Sequence, residues 1–348
     1  MPIALLRLPT LVHAEIFQHI DEYSTLFSLS ITSTRAKNVI QMVKLPGPKV
    51  LRYCLGAPGF IVKGSRSGED DDMETVVSMK MAWNIPEDVV RWMKLGELSV
   101  EYGVSKFTSN LIRPMVSLTY HYLEPRSDDS TITALQTHLN SLWKHQPMIQ
   151  LKLHHTNSLQ RSSVIRNVEQ AHIEEGEVNA LHIFNLHPKL GNLNASTYLR
   201  SPMQKALNLD GLLVKKVDFI PSRELLKYFN GRFLILLETS FSVNNLNDFF
   251  VSWIANKSHH NLETLVVHFS YLHEHSLVDK INEYPSFNRD FEKEPRKYVL
   301  GTRIMGYDFP PTNNNNRVQL ISDIQQREHG KRASIHVGRG VMWFRVYE

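Results

Sequence analysis

Seventeen histidines are the most conspicuous chemistry-bearing residues of this 348-residue chain. The densest run is His268-Phe-Ser-Tyr-Leu-His273-Glu-His275, where His273 and His275 would project to the same side of a strand. A zinc site needs a third protein ligand at a matching spacing. No HExxH and no paired cysteines supply one, so the run reads as ordinary loop histidines. His13 and His19 are six apart, which does not bring them to one helix face. A nucleophilic serine would want a GxSxG elbow, and a phosphate site a Walker loop or glycine-rich turn; the chain has none of them. Cys54, the one cysteine, lies in VLRYCLG, an alternating run that suits a small buried thiol. The acidic run at 69–72 lacks the spacing of a calcium loop and reads as a solvated turn. From these residues we expect no enzymatic activity, no cofactor and no metal.

Composition narrows the remaining classes. A hydrophobic share of 42% is enough for a sizeable core. The net charge of +4 is mild, and Lys and Arg are spread along the chain rather than gathered on one face, so no nucleic-acid partner is expected. A single cysteine forbids an internal disulfide and suits a reducing compartment, cytoplasmic and/or nuclear. No run of about 18 apolar residues offers a membrane span. Arg7 and Pro9 interrupt the apolar stretch Leu5-Leu-Arg-Leu-Pro-Thr-Leu-Val12, which excludes it as a signal peptide.

The elements fall into blocks. Residues 5–43 read as three helices. Leu8, Leu11, Val12, Ile16 and Ile20 recur at three- and four-residue spacing. A second helix, with Ser24 as its cap, carries Leu26, Phe27, Leu29 and Ile31; a third carries Ala36, Val39, Ile40 and Val43 and stops before Pro46-Gly-Pro48. Three helices in about 40 residues bury too little surface to stand alone, so the block must lean on something else. From 48 to 115 the period becomes two, with Val77, Met79, Met81 and Trp83 on one face of a strand and Leu98, Val100, Tyr102 and Val104 on one face of another.

From 116 onward short apolar strands alternate with helical stretches. The strands are expected to begin at Val116, Ile149, Ala180, Leu213, Phe233 and Leu262, spaced 33, 31, 33, 20 and 29 residues apart. Helices are expected at 131–146 and 247–256. The alternation implies a parallel sheet, and the missing glycine-rich turn favours a leucine-rich-repeat-like solenoid over a doubly wound fold. On its strands His182, Lys215 and His268 would face outward. Residues 318–326, 332–337 and 341–347 read as a C-terminal antiparallel meander, preceded by a loop at 310–316. The expected organisation is an α/β chain: helices over 1–44, a β-rich part over 48–115, and a repeat-like domain with its meander over 116–348.

Two resemblances give these blocks a context. Leu8-Pro9, Val12, Glu15-Ile16, Ile20, Leu26-Phe27, Leu29-Ser30, Ser33 and Ala36-Lys37 resemble an F-box. That resemblance implies docking onto a Skp-type adaptor through Leu5, Leu8, Pro9, Val12, Ile16, Ile20, Leu26 and Leu29. The stretch 212–269 resembles the F-box-associated type 2 domain of nematode F-box proteins. Its matching pieces are Leu225-Leu226, Phe229-Asn230, Leu246-Asn-Asp-Phe-Phe250, Trp253-Ile254 and His260-Asn-Leu-Glu-Thr-Leu265. The ending from Asp323 to Ile335 resembles the tail of such proteins. Together they imply a substrate-recognition subunit of a Skp–cullin–F-box ubiquitin ligase, joined through the adaptor to a cullin and holding a protein substrate. The chain itself has neither a thioester-forming cysteine site nor zinc-spaced ligands for a RING, so the chemistry would belong to other subunits. A non-ligase interaction scaffold with a degenerate F-box is the alternative.

Overall fold

Pro9 sets the entry to the first helix. Its ring holds φ at −59°, and its carbonyl accepts the N–H groups of Val12 (3.0 Å) and His13 (3.1 Å). Helix α1 (Thr10–Gln18) follows, then α2 (Tyr23–Thr32) and α3 (Thr34–Val43). The computed structural model describes residues 8–56, 59–81, 91–108, 116–122, 128–200, 204–217, 219–238, 241–269, 274–284, 319–326, 330–338 and 340–347. They form two compact units, 1–169 and 170–348.

The helix caps differ in part from expectation. Ser33 caps α3, its Oγ accepting the Ala36 N–H at 3.1 Å. Ser24 is no cap, because α2 already begins at Tyr23. The orphan N–H of Tyr23 instead reaches Glu74 Oε1 at 3.0 Å, a side chain 51 residues away.

In the first unit the helices meet a mixed sheet. Its strands are β1 (Val50–Gly56), β2 (Gly59–Ser65), β3 (Glu74–Met81), β4 (Arg91–Leu95), β5 (Leu98–Thr108), β6 (Val116–Tyr122) and β7 (Met148–Leu153), with α4 (Asp128–Leu142) before the last. The order is β7-β1-β2-β3-β6-β5-β4, parallel at β7–β1 and β3–β6 and antiparallel elsewhere. The expected one-sided burial of β3 is corrected: Val76, Val77, Ser78 and Met79 are all buried. Helix α2 packs on this strand and helps cover a face that a bare hairpin would leave wet. Trp83 lies outside the described residues.

The second unit is built from strands in chain order. β8 (Val168–Ile173), β10 (Asn192–Arg200), β11 (Gly211–Val217), β12 (Phe233–Glu238) and β13 (Thr264–His268) run parallel, each beside the next, with the short β9 (Glu177–Asn179) on the end of β10. Helices α5 (Ala180–Leu186), α6 (Phe219–Tyr228) and α7 (Val243–Ile254) lie in the crossovers, and α8 (Glu274–Asn282) follows β13. The expected meander is present as β14 (Gln319–Gln325), β15 (Arg332–Gly338) and β16 (Val341–Tyr347), with β16 antiparallel to β13. The loop expected at 310–316 lies outside the described residues.

One expected strand is a helix. Ala180-Leu-His-Ile-Phe-Asn-Leu186 is α5: Ala180, Ile183 and Phe184 are buried at helical spacing, and the Asn179 side chain accepts the His182 N–H. His182 therefore lies exposed on a helix and not on a strand face. The strand of this segment is β10. With that correction the parallel strands begin at Val168, Asn192, Gly211, Phe233 and Thr264, so their spacing is 24, 19, 22 and 31 residues.

The entry edge of these strands repeats one backbone device. Gly191 O accepts the N–H groups of Asp210 and Gly211; Asp210 O accepts those of Arg232 and Phe233; Arg232 O accepts those of Glu263 and Thr264. All six bonds measure 2.7–3.2 Å. The final rung passes to the meander, where Val346 N–H donates to Glu263 O at 2.9 Å. Side chains reinforce it: Arg232 Nε donates to Glu263 Oε1 at 2.6 Å. Gly231 is obligatory here, because a Cβ would stand 1.9 Å from the Leu209 carbonyl oxygen.

Both faces of the parallel sheet are apolar. Phe249, Phe250 and Trp253 of α7 pack their rings on Phe344 of β16, at centroid distances of 5.1, 6.1 and 5.0 Å. The alternate strand residues Leu213, Phe233, Ile235, Val266 and Trp343 form a second buried cluster on the other face. Strands buried on both sides lose the alternation that marks a half-wet strand.

Candidate functional site

The three N-terminal helices divide their apolar residues between an inner and an outer surface. Helix α1 turns His13 and Phe17 inward, their rings stacked at 6.1 Å. Its most exposed apolar residues are Leu11, at 84%, and Val12, at 40%; Pro9 is exposed beside them. Helix α3 buries Ala36, Val39 and Ile40 and leaves Met42 57% exposed. Leu8, Ile16, Ile20 and Leu29 are half-buried. Leu26 is the exception within the expected docking set: at 3% exposure it belongs to the core. Leu5 lies outside the described residues.

What the helices lean on is the sheet and α4 of the same unit. Phe27 sets its ring edge-on to Tyr120 (5.7 Å) and His138 (6.0 Å), and Tyr23 meets Trp143 at 5.5 Å. Ser28 Oγ bonds Tyr120 Oη at 2.8 Å, and Gln41 Nε2 donates to Ser141 O at 2.9 Å. Ser30 Oγ donates to Phe27 O at 2.6 Å, so at its 2.8 Å contact with His138 it accepts from Nε2–H. Burial, aided by the positive charge of Lys37, pushes His138 down to about 4, and it packs as a neutral ring. At the junction, a Cβ on Gly47 would stand 2.6 Å from Trp143, so the Pro46-Gly-Pro48 turn sits directly on that indole. Two aromatic walls and four side-chain hydrogen bonds hold the outer face of the helices in a set orientation relative to this sheet.

The other singled-out residues that are described lie on separate elements. His268 is half-buried at the end of β13, His275 is exposed on α8, and His273 lies outside the described residues. Among the described residues no three His, Cys, Asp or Glu side chains are grouped to hold a metal. Cys54 is buried in β1. The acidic run is exposed but engaged: Asp70 pairs with the buried Arg52, and Asp72 accepts from the Ser65 hydroxyl and the Ser67 N–H. Lys215 of β11 is exposed and lies 3.7 Å from Glu238. No described helix is long and apolar enough to cross a membrane.

The outer face singles out two residues absent from the expected docking set. Leu11 was legible in the stripe, but the exposed Met42 of α3 was not. The signal would have been that Met42 falls off the 36–39–40–43 face of an otherwise amphipathic helix.

Comparison with known families falls on this block. A model of the F-box domain matches residues 5–46, the span of the three helices, and supports reading the chain as an F-box protein. F-box domains typically bind Skp-type adaptors and through them enter cullin complexes. No curated protein and no solved structure matches the chain.

Proposed function

We propose that this protein is the substrate-recognition adaptor of a Skp–cullin–F-box ubiquitin ligase. The observation that carries the reading is that Pro9, Leu11 and Val12 at the start of α1, and Met42 of α3, are exposed on helices matched by the F-box model. Exposed large apolar residues grouped on so small a block mark an interaction surface. Leu8, Ile16, Ile20 and Leu29 extend it as half-buried flanks, and an interface of this kind buries about 800 Å² per partner. The unit 170–348 then serves as receptor for the target protein. Its parallel strands run in chain order without the reversal that defines a doubly wound fold, which supports the leucine-rich-repeat-like reading. The resemblance of 212–269 to the F-box-associated type 2 domain of nematode proteins points the same way.

Co-expression with a Skp-type adaptor and affinity capture tests the proposal. Replacing Leu8 with Ala and Pro9 with Ser should abolish recovery of the adaptor while the protein stays folded; undiminished recovery would overturn it. An interaction scaffold without ligase function is distinguished by turnover, since its deletion would leave the half-life of its bound partner unchanged.

A further inference from the structure

The second unit carries a groove that the docking face does not involve. It lies between α6 and α7 and encloses about 250 Å³, the room of one side chain. Leu226 and Phe249, both buried, and the His259 ring form an apolar floor. His259 donates its Nδ1–H to Phe229 O at 2.9 Å and its ring lies tilted against Phe249 at 4.9 Å. Burial keeps it neutral, so the floor contributes no charge.

The walls are charged and unequal. Arg223 and Lys227 stand one helical turn apart on the same side of α6, and both are exposed. Four other cations of this unit have carboxylate partners: Arg200 with Glu177, Lys215 with Glu238, Arg232 with Glu263 and Lys280 with Glu283. Among the described residues Arg223 and Lys227 have none; the Lys227 ammonium lies over the Tyr228 ring at 4.9 Å. Asp248 is the single acid of the lining, on the α7 wall. Val251, 50% exposed, completes the α7 wall. An arginine beside a small apolar pocket suits an interface hot spot.

We propose that the α6–α7 groove binds an acidic segment of the recruited protein. A carboxylate sits between Arg223 and Lys227, and its aliphatic stem lies on Leu226 and Phe249. Asp248 fixes the direction of entry by repelling a second carboxylate from the α7 side. This deepens the receptor role assigned above to unit 170–348 and rests on it.

Panning a displayed library of random 12-residue peptides on the full chain, held in complex with its Skp-type adaptor, tests the groove. Bound clones should be enriched in Asp and Glu next to Leu or Ile. Changing Arg223→Glu and Lys227→Glu together should reverse that preference toward Lys and Arg. Fluorescence polarisation of the best acidic peptide should show at least about tenfold weaker binding when its acids become Gln or when the double variant is used. The proposal is overturned if wild type and double variant select the same composition, or if the Gln peptide binds as well. Both exchanges lie on an exposed helix face, and an unchanged circular-dichroism spectrum and thermal midpoint of the variant verify that it is folded. Failure of the wild-type chain to capture the adaptor would instead refute the ligase reading.

Discussion

Helix α1 offers a sharp separation between a residue exposed to solvent and one buried in the core. Leu11 keeps 84% of its surface in water, whereas Phe17, six residues on, keeps 2%. Fully burying a leucine side chain is worth about 1.5–3 kcal/mol, so covering the exposed part of Leu11 in a complex stabilises it by about 2 kcal/mol. Leu11→Ala should therefore weaken adaptor affinity by about thirtyfold. Leu11→Asp should abolish it, since a carboxylate would be desolvated without a partner. Neither change should move the urea midpoint measurably, because the side chain has little to lose on the protein itself. Phe17→Ala should do the opposite: it removes about 3–5 kcal/mol of folding stability. Titration calorimetry with the purified adaptor, alongside urea unfolding of the free chain, reads both quantities. Unchanged affinity in Leu11→Asp would refute the assignment of this face. A stability loss in Leu11→Asp as large as that of Phe17→Ala would refute the division between outer and inner surfaces.

Three further outcomes follow from features of the fold. Gly231→Ala drives a methyl against the Leu209 carbonyl and should lower stability by about 1–3 kcal/mol, read as a drop in thermal midpoint; a neutral substitution would mean the rung is looser than its geometry. Ser242→Ala removes one half of the capping box with Asn245 at the start of α7 and should cost about 1 kcal/mol, with Ser242→Asp largely retaining stability. His138, His187 and His259 are each pushed down to about 4 by burial, so between roughly pH 6.5 and 4 the unfolded chain takes up protons that the folded chain refuses. Stability is complete above about 6.5 and is lost as pH falls toward 4, by up to about 3 kcal/mol per histidine. Urea midpoints measured down that range should fall steadily, and His138→Gln, which can still donate to Ser30, should flatten the decline; a midpoint independent of pH would refute the neutral-histidine reading.

The helical block and the meander were legible because their periodicity and breakers act locally. Ser33 and Pro46 mark ends that any chain of this composition would respect. The inner and outer faces of α1 were not legible. The stripe of Leu8, Leu11, Val12 and Ile16 is more apolar than the side carrying His13, yet it is the side with His13 and Phe17 that is buried. Ala180–Leu186 was misread for a related reason: seven residues that are mostly apolar satisfy a strand as well as a helix, and the Asn179 cap decides. In β3 the buried Ser78 shows the limit of alternation as a signal, since α2 packs on this strand from 42 or more residues away. The α6–α7 groove joins residues of α6 to residues 18 to 36 positions further on, and no spacing rule brings Arg223 opposite Asp248.

The rungs at the entry edge are made by peptide groups, one carbonyl receiving two amides from the next turn of the chain. A side-chain ladder would tie the stack to certain residue types, as an asparagine does. Main-chain rungs ask only for a close approach, met at Gly231 by the absence of a side chain. This binds the strands like pages sewn along a spine, with the spine indifferent to what is written on the leaves. The intervals between rungs can stretch from 19 to 31 residues, long enough at the upper end to insert all of α7, without unpicking the seam. A fold held in that way can change its side chains while keeping its pitch, and its lineage would become hard to read in sequence long before its shape changed.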